Sequence, residues 1–270
     1  MLEDGRLAKL EALLGAAGPI AVAVSGGVDS MTLATVAHRA APGRTSMFHA
    51  ASPAVPPEAG ARVRRSAARE GWDLRVVTAG EFADDRYLEN PVDRCFFCKS
   101  NRYGTLSRLT AATLLSGTNL DDLGDYRPGL KAAEAFGVRH PWVEAGVDKA
   151  GVRAIARGLG LDDVAELPAA PCLSSRLETG IRVTAPALAF VHRIERLVAE
   201  AIRPRTVRCR IRHAGVAVEL DPESLATLTS APGAGLRAAI LQASKAQGYG
   251  ERVAFEPYRM GSAFKRDLVD

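Results

Sequence analysis

Glycine and short polar residues follow the first apolar segment of the chain, at the point where a helical pattern begins. Residues 19–24 are small and apolar, and the residues after them read SGGVDS. Glycines let backbone N–H groups approach an anion closely, hydroxyl groups add donors, and the start of a helix presents the positive end of its dipole. We therefore expect residues 25–30 to bind phosphate and the chain to bind a nucleotide. The binding residues assigned here are Ser25, Gly26, Gly27, Asp29 and Ser30.

The type of phosphate loop is indicated by what surrounds the glycines. No lysine follows them, as a Walker A motif requires, and the GxGxxG spacing of a dinucleotide fold is absent as well. The order SGGxDS resembles the PP-loop of the N-type ATP pyrophosphatases, which cleave ATP between its α- and β-phosphates. An acidic Asp29 beside phosphates indicates a Mg²⁺ ion between them. The alternative is an ordinary glycine turn whose Ser and Asp side chains cap a helix beginning at Ser30.

Four cysteines form the second chemical feature of the sequence. Cys209 lies in an alternating segment, TVRCRIRH, and is expected to be a small buried side chain. Cys95 and Cys98 stand at the start of a predicted helix, where thiolates are stabilised. Cys172 stands in a proline-rich loop in which we expect no regular structure until after Arg176.

Three thiolates from two loops make an incomplete tetrahedral set for zinc, because neither a second CxxC nor a closely spaced pair of histidines supplies a fourth ligand. A [4Fe–4S] cluster with one iron open to an external ligand fits the number of cysteines better. The alternative is a redox pair formed by Cys95 and Cys98, with Cys172 acting alone as a nucleophile.

Segments typical of strands and helices alternate through residues 1–182. The predicted strands are Ile20–Val24, Ser46–Ala50, Leu74–Val77, Thr113–Ser116 and a short one near Pro141–Val143. The predicted helices are an amphipathic N-terminal segment, Ser30–His38, Pro57–Glu70, Lys99–Ala111, Leu130–Phe136 and Asp148–Leu159, the last capped by Asp148. This alternation predicts an α/β domain with a parallel sheet and helices on both of its faces.

Ligands of such sheets bind beyond the carboxyl ends of the strands, so the segments that follow the strands should line one cleft. Besides residues 25–30 these segments are 51–52 and 117–122. The residues assigned to nucleotide binding from them are Ser52, Gly117, Thr118 and Asn119. Further along, Arg127 either pairs with a phosphate or carboxylate or bridges Asp125.

After Thr184 the pattern changes to that of a small α+β unit. The predicted elements are the helix Ala185–Ile202, strands Thr206–His213 and Val216–Leu220, helices Pro222–Leu228 and Gly235–Gln247, and a strand near Arg252–Phe255. We place a domain boundary between residues 182 and 183 and expect residues 183–270 to serve substrate binding or oligomerisation in a homo-oligomer. One face of its first strand carries Arg208, Arg210 and Arg212, which either bind an anionic group or form a solvated face.

Composition limits the classes of partner. The net charge of +4 and the pI of about 9.0 suit small anionic ligands, and no long Lys/Arg block supports nucleic-acid binding. No apolar run reaches the ~18 residues that span a bilayer, and the N-terminus lacks a signal-peptide pattern. We therefore expect a cytoplasmic protein without a membrane partner.

Five segments together, SGGVDS, CFFCK, GTNLDD, DYRPGLKA and PCLSSR, resemble one family. It comprises the ATP-dependent sulfur transferases that make pyridinium-3,5-bisthiocarboxylic acid mononucleotide, the ligand of a nickel-pincer cofactor. One version of the family sacrifices the sulfur of a single cysteine, whereas the other binds a [4Fe–4S] cluster through three. Cys95, Cys98 and Cys172 match the second version. The chain departs from the family after the serine-arginine pair, where residues 177–180 read LETG in place of an aromatic-Tyr-Gly segment.

The resemblance implies roles for individual residues. ATP, Mg²⁺ and the cluster would be the cofactors, and a pyridinium dicarboxylate mononucleotide would be the substrate. A substrate carboxylate would attack the α-phosphorus of ATP, and sulfur from free sulfide or a donor protein would then displace AMP. Arg208 and Arg210 match arginines that bind the substrate phosphate. The residues assigned to catalysis are Asp29, Lys99, Cys172 and Arg176.

Two other functions remain open at the level of sequence. A tRNA thiolase also joins a PP-loop to a three-cysteine cluster, but the chain has neither an RNA-binding extension nor extra CxxC pairs. A non-catalytic ATP- or metal-binding module would need no charged residues around the loop.

Overall fold

A parallel sheet and the helices around it form the first of two compact units in the computed structural model, which describes residues 5–124, 128–169 and 171–263. The first unit holds the described residues up to Asp84 and from Asp93 to Ala169, and the second holds Asp85–Val92 and the chain from Pro171 onward. The boundary predicted between residues 182 and 183 remains a prediction about domains.

The elements alternate along the chain as the sequence pattern predicts. The strands are β1 (Ile20–Ala23), β2 (Thr45–Ala50), β3 (Asp73–Val77), β4 (Thr113–Leu115), β5 (Val207–Arg212), β6 (Gly215–Leu220) and β7 (Val253–Pro257). The helices are α1 (Arg6–Ala16), α2 (Val28–Ala40), α3 (Pro57–Glu70), α4 (Asp85–Leu88), α5 (Arg94–Leu109), α6 (Pro128–Ala135), α7 (Pro141–Ala145), α8 (Lys149–Gly158), α9 (Asp162–Ala165), α10 (Ala185–Ile202), α11 (Pro222–Thr229) and α12 (Ala234–Ala246). Short 3₁₀ turns cover residues 81–83, 120–124 and 173–176.

The sheet of the first unit has the order β3-β2-β1-β4, and all its strand pairs are parallel. Ile20 of β1 lies opposite Thr45 on one side and Thr113 on the other, so β1 is an inner strand. Its residues are almost wholly buried because helices cover both faces, which explains why this strand is a continuous apolar run. One apolar cluster includes Ile20 and Val22, and a second includes Ala21. The predicted α/β class is therefore confirmed.

The strand predicted near Pro141–Val143 is wrong, because these residues begin helix α7. Proline is well suited to the first turn of a helix, where its missing N–H costs nothing. Trp142 and Ala145 lie one turn apart on the buried side, and Gly146 ends the helix with φ 75°. Beyond β4 the structure shows a single bridge between Leu115 and Arg139 within the described residues.

The second unit contains a small mixed sheet of order β5-β6-β7, as the predicted α+β pattern requires. Strands β5 and β6 pair antiparallel, and β6 and β7 pair parallel. Segment 85–92 belongs to this unit, although the sequence pattern does not indicate it. The Asn90 amide donates to the Glu178 carbonyl at 2.8 Å, and Gly180 N donates to the Asn90 carbonyl at 3.0 Å. Among the residues that the structure describes, no helix has the length and apolar character needed to cross a membrane.

Candidate nucleotide site

The loop of residues 25–30 joins β1 to α2 and is closed by its own hydroxyl groups. Ser25 N donates to Ser30 Oγ at 3.0 Å, and Ser30 Oγ donates to the Gly27 carbonyl at 3.2 Å. Gly26 has φ 84°, and a Cβ there would lie 2.7 Å from the carbonyl oxygen of Ala59. Only glycine fits this position, because both the backbone conformation and the neighbouring backbone exclude a side chain. The loop is thus preformed, with the exposed Ser25 beside the first turn of α2.

Two basic side chains that the sequence analysis did not select support this loop. Arg62 of α3 donates to the Gly26 carbonyl at 2.6 Å. Burial, followed by the charge of Arg65, lowers the pKa of Arg62, so an anion nearby would favour its charged form. His49 of β2 is buried and its Nδ1 lies 2.9 Å from the Val24 carbonyl, which can only accept, so Nδ1 carries the proton. Burial lowers the pKa of His49 and so favours the neutral ring.

Asp29 is held at three points in the first turn of α2. Its Oδ1 accepts from the Asn119 amide at 3.0 Å, and its Oδ2 accepts from the Lys149 ammonium at 2.5 Å. Its backbone carbonyl accepts from the Trp142 indole at 3.1 Å. The sequence placed Asp29 beside phosphate and Mg²⁺, but the lysine that already neutralises it was missed. Lys149 begins α8, whose predicted N-cap Asp148 is confirmed by its bond from Gly151 N at 2.7 Å.

The loop after β4 lies against the start of α2, as the predicted cleft requires. A Cβ on Gly117 would lie 2.7 Å from Ser30 N, so the two backbones touch only because residue 117 is glycine. Ser116 Oγ lies 3.0 Å from Thr118 Oγ1 and 2.8 Å from His140 Nδ1. The structure therefore brings Gly117 and Asn119 to the loop of residues 25–30, and the Thr118 hydroxyl lies beside Ser116. Ser52 instead forms its own turn, in which its hydroxyl accepts from Ala54 N at 3.1 Å.

Lys99 extends from α5 toward the same edge of the sheet. Its aliphatic stem crosses Gly129 of α6, where a Cβ would lie 2.6 Å from Lys99 Cδ. Burial lowers the pKa of His140, and the charge of Lys99 is the next cause. His140 bonds Ser116 in the loop after β4, so the charge of Lys99 acts on a residue that contacts this loop. Arg127, which was predicted to bind phosphate, lies outside the described residues.

Cys95 and Cys98 lie three positions apart in the first turn of α5, and both are half-buried. Cys172 belongs to the second unit, is half-buried as well, and precedes the 3₁₀ turn 173–176. The expectation of no regular structure until after Arg176 is therefore wrong, because this turn covers residues 173–176. Within the described ranges no group of three or more His, Cys, Asp or Glu side chains is arranged to hold a metal ion. The spacing of Cys95 and Cys98 on one helix face suits two ligands of a cluster, and the participation of Cys172 remains a prediction.

Arg176 shapes the turn that carries Cys172. Its guanidinium pairs with Glu195 through two bonds of 2.8 and 2.9 Å and donates to the Pro171 carbonyl at 2.8 Å. Burial acts to lower the pKa of Arg176, but the bonds and charge of Glu195 outweigh it, and the pKa is raised. Cys209, on β5 beside Glu195, is fully buried as predicted, and burial raises the pKa of its thiol.

Two of the three arginines on this face of β5 form ion pairs with carboxylates. Arg210 is 4% exposed and pairs with the buried Glu219 at 3.0 Å, and Arg212 pairs with the other oxygen of Glu219 at 2.7 Å. The solvated-face alternative is therefore wrong for Arg210. Arg208 is half-buried, with its guanidinium 5.8 Å from the Tyr258 ring. Burial, and then the charge of Arg176, lower the pKa of Arg208, so an anion beside it would favour its charged form.

The buried Glu219 is expected to stabilise the second unit strongly. Glu219→Ala would leave Arg210 buried without its counter-ion and is expected to cost about 3–5 kcal/mol in the free energy of unfolding. Chemical denaturation of the full chain measures this cost. Glu223→Ala is the matched control, because Glu223 is 81% exposed and its pair with Arg205 contributes about 0–1 kcal/mol. Equal costs for the two variants would contradict the assignment of Arg210 to a structural ion pair.

Fold and site together define an α/β protein in which a glycine loop joins an inner strand of a parallel sheet to a helix. This arrangement is suited to binding phosphate groups.

No family model matches the chain. A protein of Synechocystis, "Uncharacterized protein slr1717", is 36% identical over 229 residues, which cover 83% of this chain and 84% of that protein. The chain belongs to the family of this Synechocystis protein.

Two further relatives are more distant. A protein of Lactiplantibacillus plantarum named pyridinium-3,5-bisthiocarboxylic acid mononucleotide synthase is 33% identical over 158 residues, 57% of this chain and 56% of its own length. The protein MJ0830 of Methanocaldococcus jannaschii is 24% identical over 188 residues, 68% of this chain and 71% of its own length. The similarity to the synthase supports the resemblance found in the motifs.

Proposed function

We propose that the protein is an ATP-dependent sulfur transferase that converts a carboxylate of pyridinium-3,5-biscarboxylic acid mononucleotide into a thiocarboxylate. The observation that carries the proposal is the preformed SGGVDS loop, with Asp29 held between Asn119 and Lys149. The name of the Lactiplantibacillus relative supports the substrate and the sulfur chemistry.

The first step would be adenylylation of the substrate. A carboxylate oxygen attacks the α-phosphorus of ATP, the bond to the oxygen that bridges the α- and β-phosphates breaks, and pyrophosphate leaves with its electrons. The backbone N–H groups and hydroxyls of residues 25–30, together with the N-terminus of α2, would hold the departing pyrophosphate. Lys99 would contact a phosphate from α5, and Asp29 would ligate Mg²⁺. Mg²⁺, when bound, supplies charge neutralisation on the phosphates.

The second step would replace AMP with sulfur. A sulfide equivalent attacks the acyl carbon, the bond from that carbon to the adenylate oxygen breaks, and AMP leaves with the electron pair. Cys95, Cys98 and Cys172 would together hold a [4Fe–4S] cluster, which would supply the sulfide equivalent when bound. Arg208 would bind the phosphate of the substrate mononucleotide. Arg176 would keep Cys172 in its turn through the bonds to Pro171 and Glu195 described above.

Sulfur incorporation tests this proposal directly. The anaerobically purified protein, supplied with Mg²⁺, ATP, sulfide and the pyridinium dicarboxylate mononucleotide, is expected to yield a product whose mass reflects exchange of one carboxylate oxygen for sulfur. Parallel reactions contain unmodified tRNA in place of the mononucleotide. Sulfur in tRNA alone would replace the proposal with a tRNA thiolase, and sulfur in neither substrate would remove both.

The close contact at Gly26 gives a prediction about nucleotide binding. Gly26→Ala adds a methyl group against Ala59 at a left-handed position, and is expected to weaken binding of Mg²⁺ and a non-cleavable ATP analogue at least about tenfold. Calorimetric titration measures the affinity. Gly71→Ala is the matched control, since Gly71 also has a positive φ of 71° but no neighbour within 4 Å of its added Cβ. Unchanged affinity in Gly26→Ala would contradict the phosphate loop.

A further inference from the structure

The strongest unassigned feature of the site is the ion pair between Lys149 and Asp29. The two groups come from helix starts 120 positions apart in sequence, and their side chains are 33% and 23% exposed. Lys149 is positioned by its backbone, since its N–H donates to the Asp121 carboxylate at 3.2 Å and Asp148 caps the helix it begins. The backbone of Lys149 is thus anchored, whereas its ammonium lies at the boundary with solvent.

The charges at this point do not suit a nucleotide without a change of partner. Asp29 sits in the first turn of α2, where phosphate oxygens would meet a carboxylate of the same sign. Lys149 pairs with Oδ2, and the Asn119 amide donates to Oδ1 separately. A divalent cation at Oδ2 would lie beside the positively charged ammonium, so repulsion between the two favours displacement of the ammonium, while the bond from Asn119 can persist. An ammonium on a flexible four-carbon stem can then turn to another oxygen anion nearby.

We infer that Lys149 is a nucleotide-binding residue which exchanges the Asp29 carboxylate for a phosphate oxygen of ATP when Mg²⁺ binds. The inference rests on the proposed function, because it requires that the loop bind Mg²⁺ and ATP. Lys149 then has two roles: it is the counter-ion of Asp29 before binding and a positioning residue for phosphate afterwards.

These two roles predict two changes in one variant, weaker nucleotide binding and a lower requirement for Mg²⁺. Lys149→Gln is expected to weaken binding of α,β-methylene-ATP at saturating Mg²⁺ at least about tenfold, because a charge-assisted bond to phosphate is lost. The same variant is expected to need less Mg²⁺ for half-maximal nucleotide binding, because no ammonium competes for Oδ2. Lys149→Arg keeps the charge and is expected to restore most of the affinity. Lys245→Gln, which removes a lysine from a surface pair with Glu251 at 3.4 Å, is the matched control.

Calorimetric titrations of the full chain with α,β-methylene-ATP over a series of Mg²⁺ concentrations measure both quantities, and circular dichroism checks folding. Weaker nucleotide binding together with a lower Mg²⁺ requirement supports the exchange. If Lys149→Gln matched Lys245→Gln in both quantities, the inference would be overturned but the proposed function would stand. Loss of nucleotide affinity with an unchanged Mg²⁺ requirement would have the same consequence. Failure of the wild-type chain to bind the analogue at any Mg²⁺ concentration would overturn the proposed function and the inference with it.

Discussion

Asp29→Asn is expected to slow the formation of AMP and pyrophosphate about 100- to 1000-fold, because the proposed Mg²⁺ loses its carboxylate ligand. Asparagine is nearly isosteric and can keep a bond with Asn119. The loss of the partly exposed pair with Lys149 is expected to cost only about 0–1 kcal/mol of folding stability. The measurement is the initial rate of pyrophosphate release at saturating ATP and substrate.

The control for this variant is Asp163→Asn on the surface of the same unit, where the carboxylate lies 3.7 Å from Arg69 and is 56% exposed. It is expected to leave the rate unchanged. If Asp29→Asn retained the wild-type rate and melted like the control, Asp29 would have no part in catalysis, and its role would be to hold Asn119 and Lys149 in place.

Cys172→Ala is expected to reduce sulfur incorporation to background, while the substrate-dependent release of pyrophosphate persists. The reason is that the variant removes one of three proposed cluster ligands but leaves the loop of residues 25–30 intact. Anaerobic iron and acid-labile sulfide counts are expected to fall from about four irons per wild-type chain. The comparison separates sulfur delivery from adenylylation within one protein.

Cys209→Ala serves as the matched cysteine deletion, because Cys209 is fully buried on β5 and its thiol is neutral. It is expected to keep the iron content and the sulfur transfer of the wild-type chain at a small cost in stability. Full iron content in Cys172→Ala would contradict the three-cysteine cluster, whereas absence of iron from the wild-type chain would favour a redox pair of Cys95 and Cys98.

The local parts of this structure could be predicted from sequence because their causes are local. The strand before Ser25, the left-handed Gly26 and the Asp148 cap each follow from a few neighbouring residues. The meeting of the loops at residues 25–30 and 117–119 followed from strand polarity alone, since parallel strands bring their carboxyl ends to one edge.

Pairings between distant residues could not be predicted in the same way. No pattern in the sequence links Lys149 to Asp29, and alternation along β5 assigns Arg210 to a face without showing that Glu219 covers it. Pro141–Val143 was misread because a short apolar run suits a strand and a buried helical turn equally well. Segment 85–92 carries no signal that it packs with the second unit, because its partners there lie far away in sequence: the Asn90 amide donates to the Glu178 carbonyl, and the Tyr87 hydroxyl lies 2.6 Å from Ser174 Oγ.

The position at which ATP is cleaved tests the central claim most directly. With ATP labelled at the α-phosphate, Mg²⁺ and the pyridinium dicarboxylate mononucleotide, the wild-type chain is expected to form labelled AMP and an equal amount of pyrophosphate, and to form neither without the mononucleotide. Labelled ADP as the product, or cleavage that ignores the mononucleotide, would contradict an adenylating loop that activates this carboxylate.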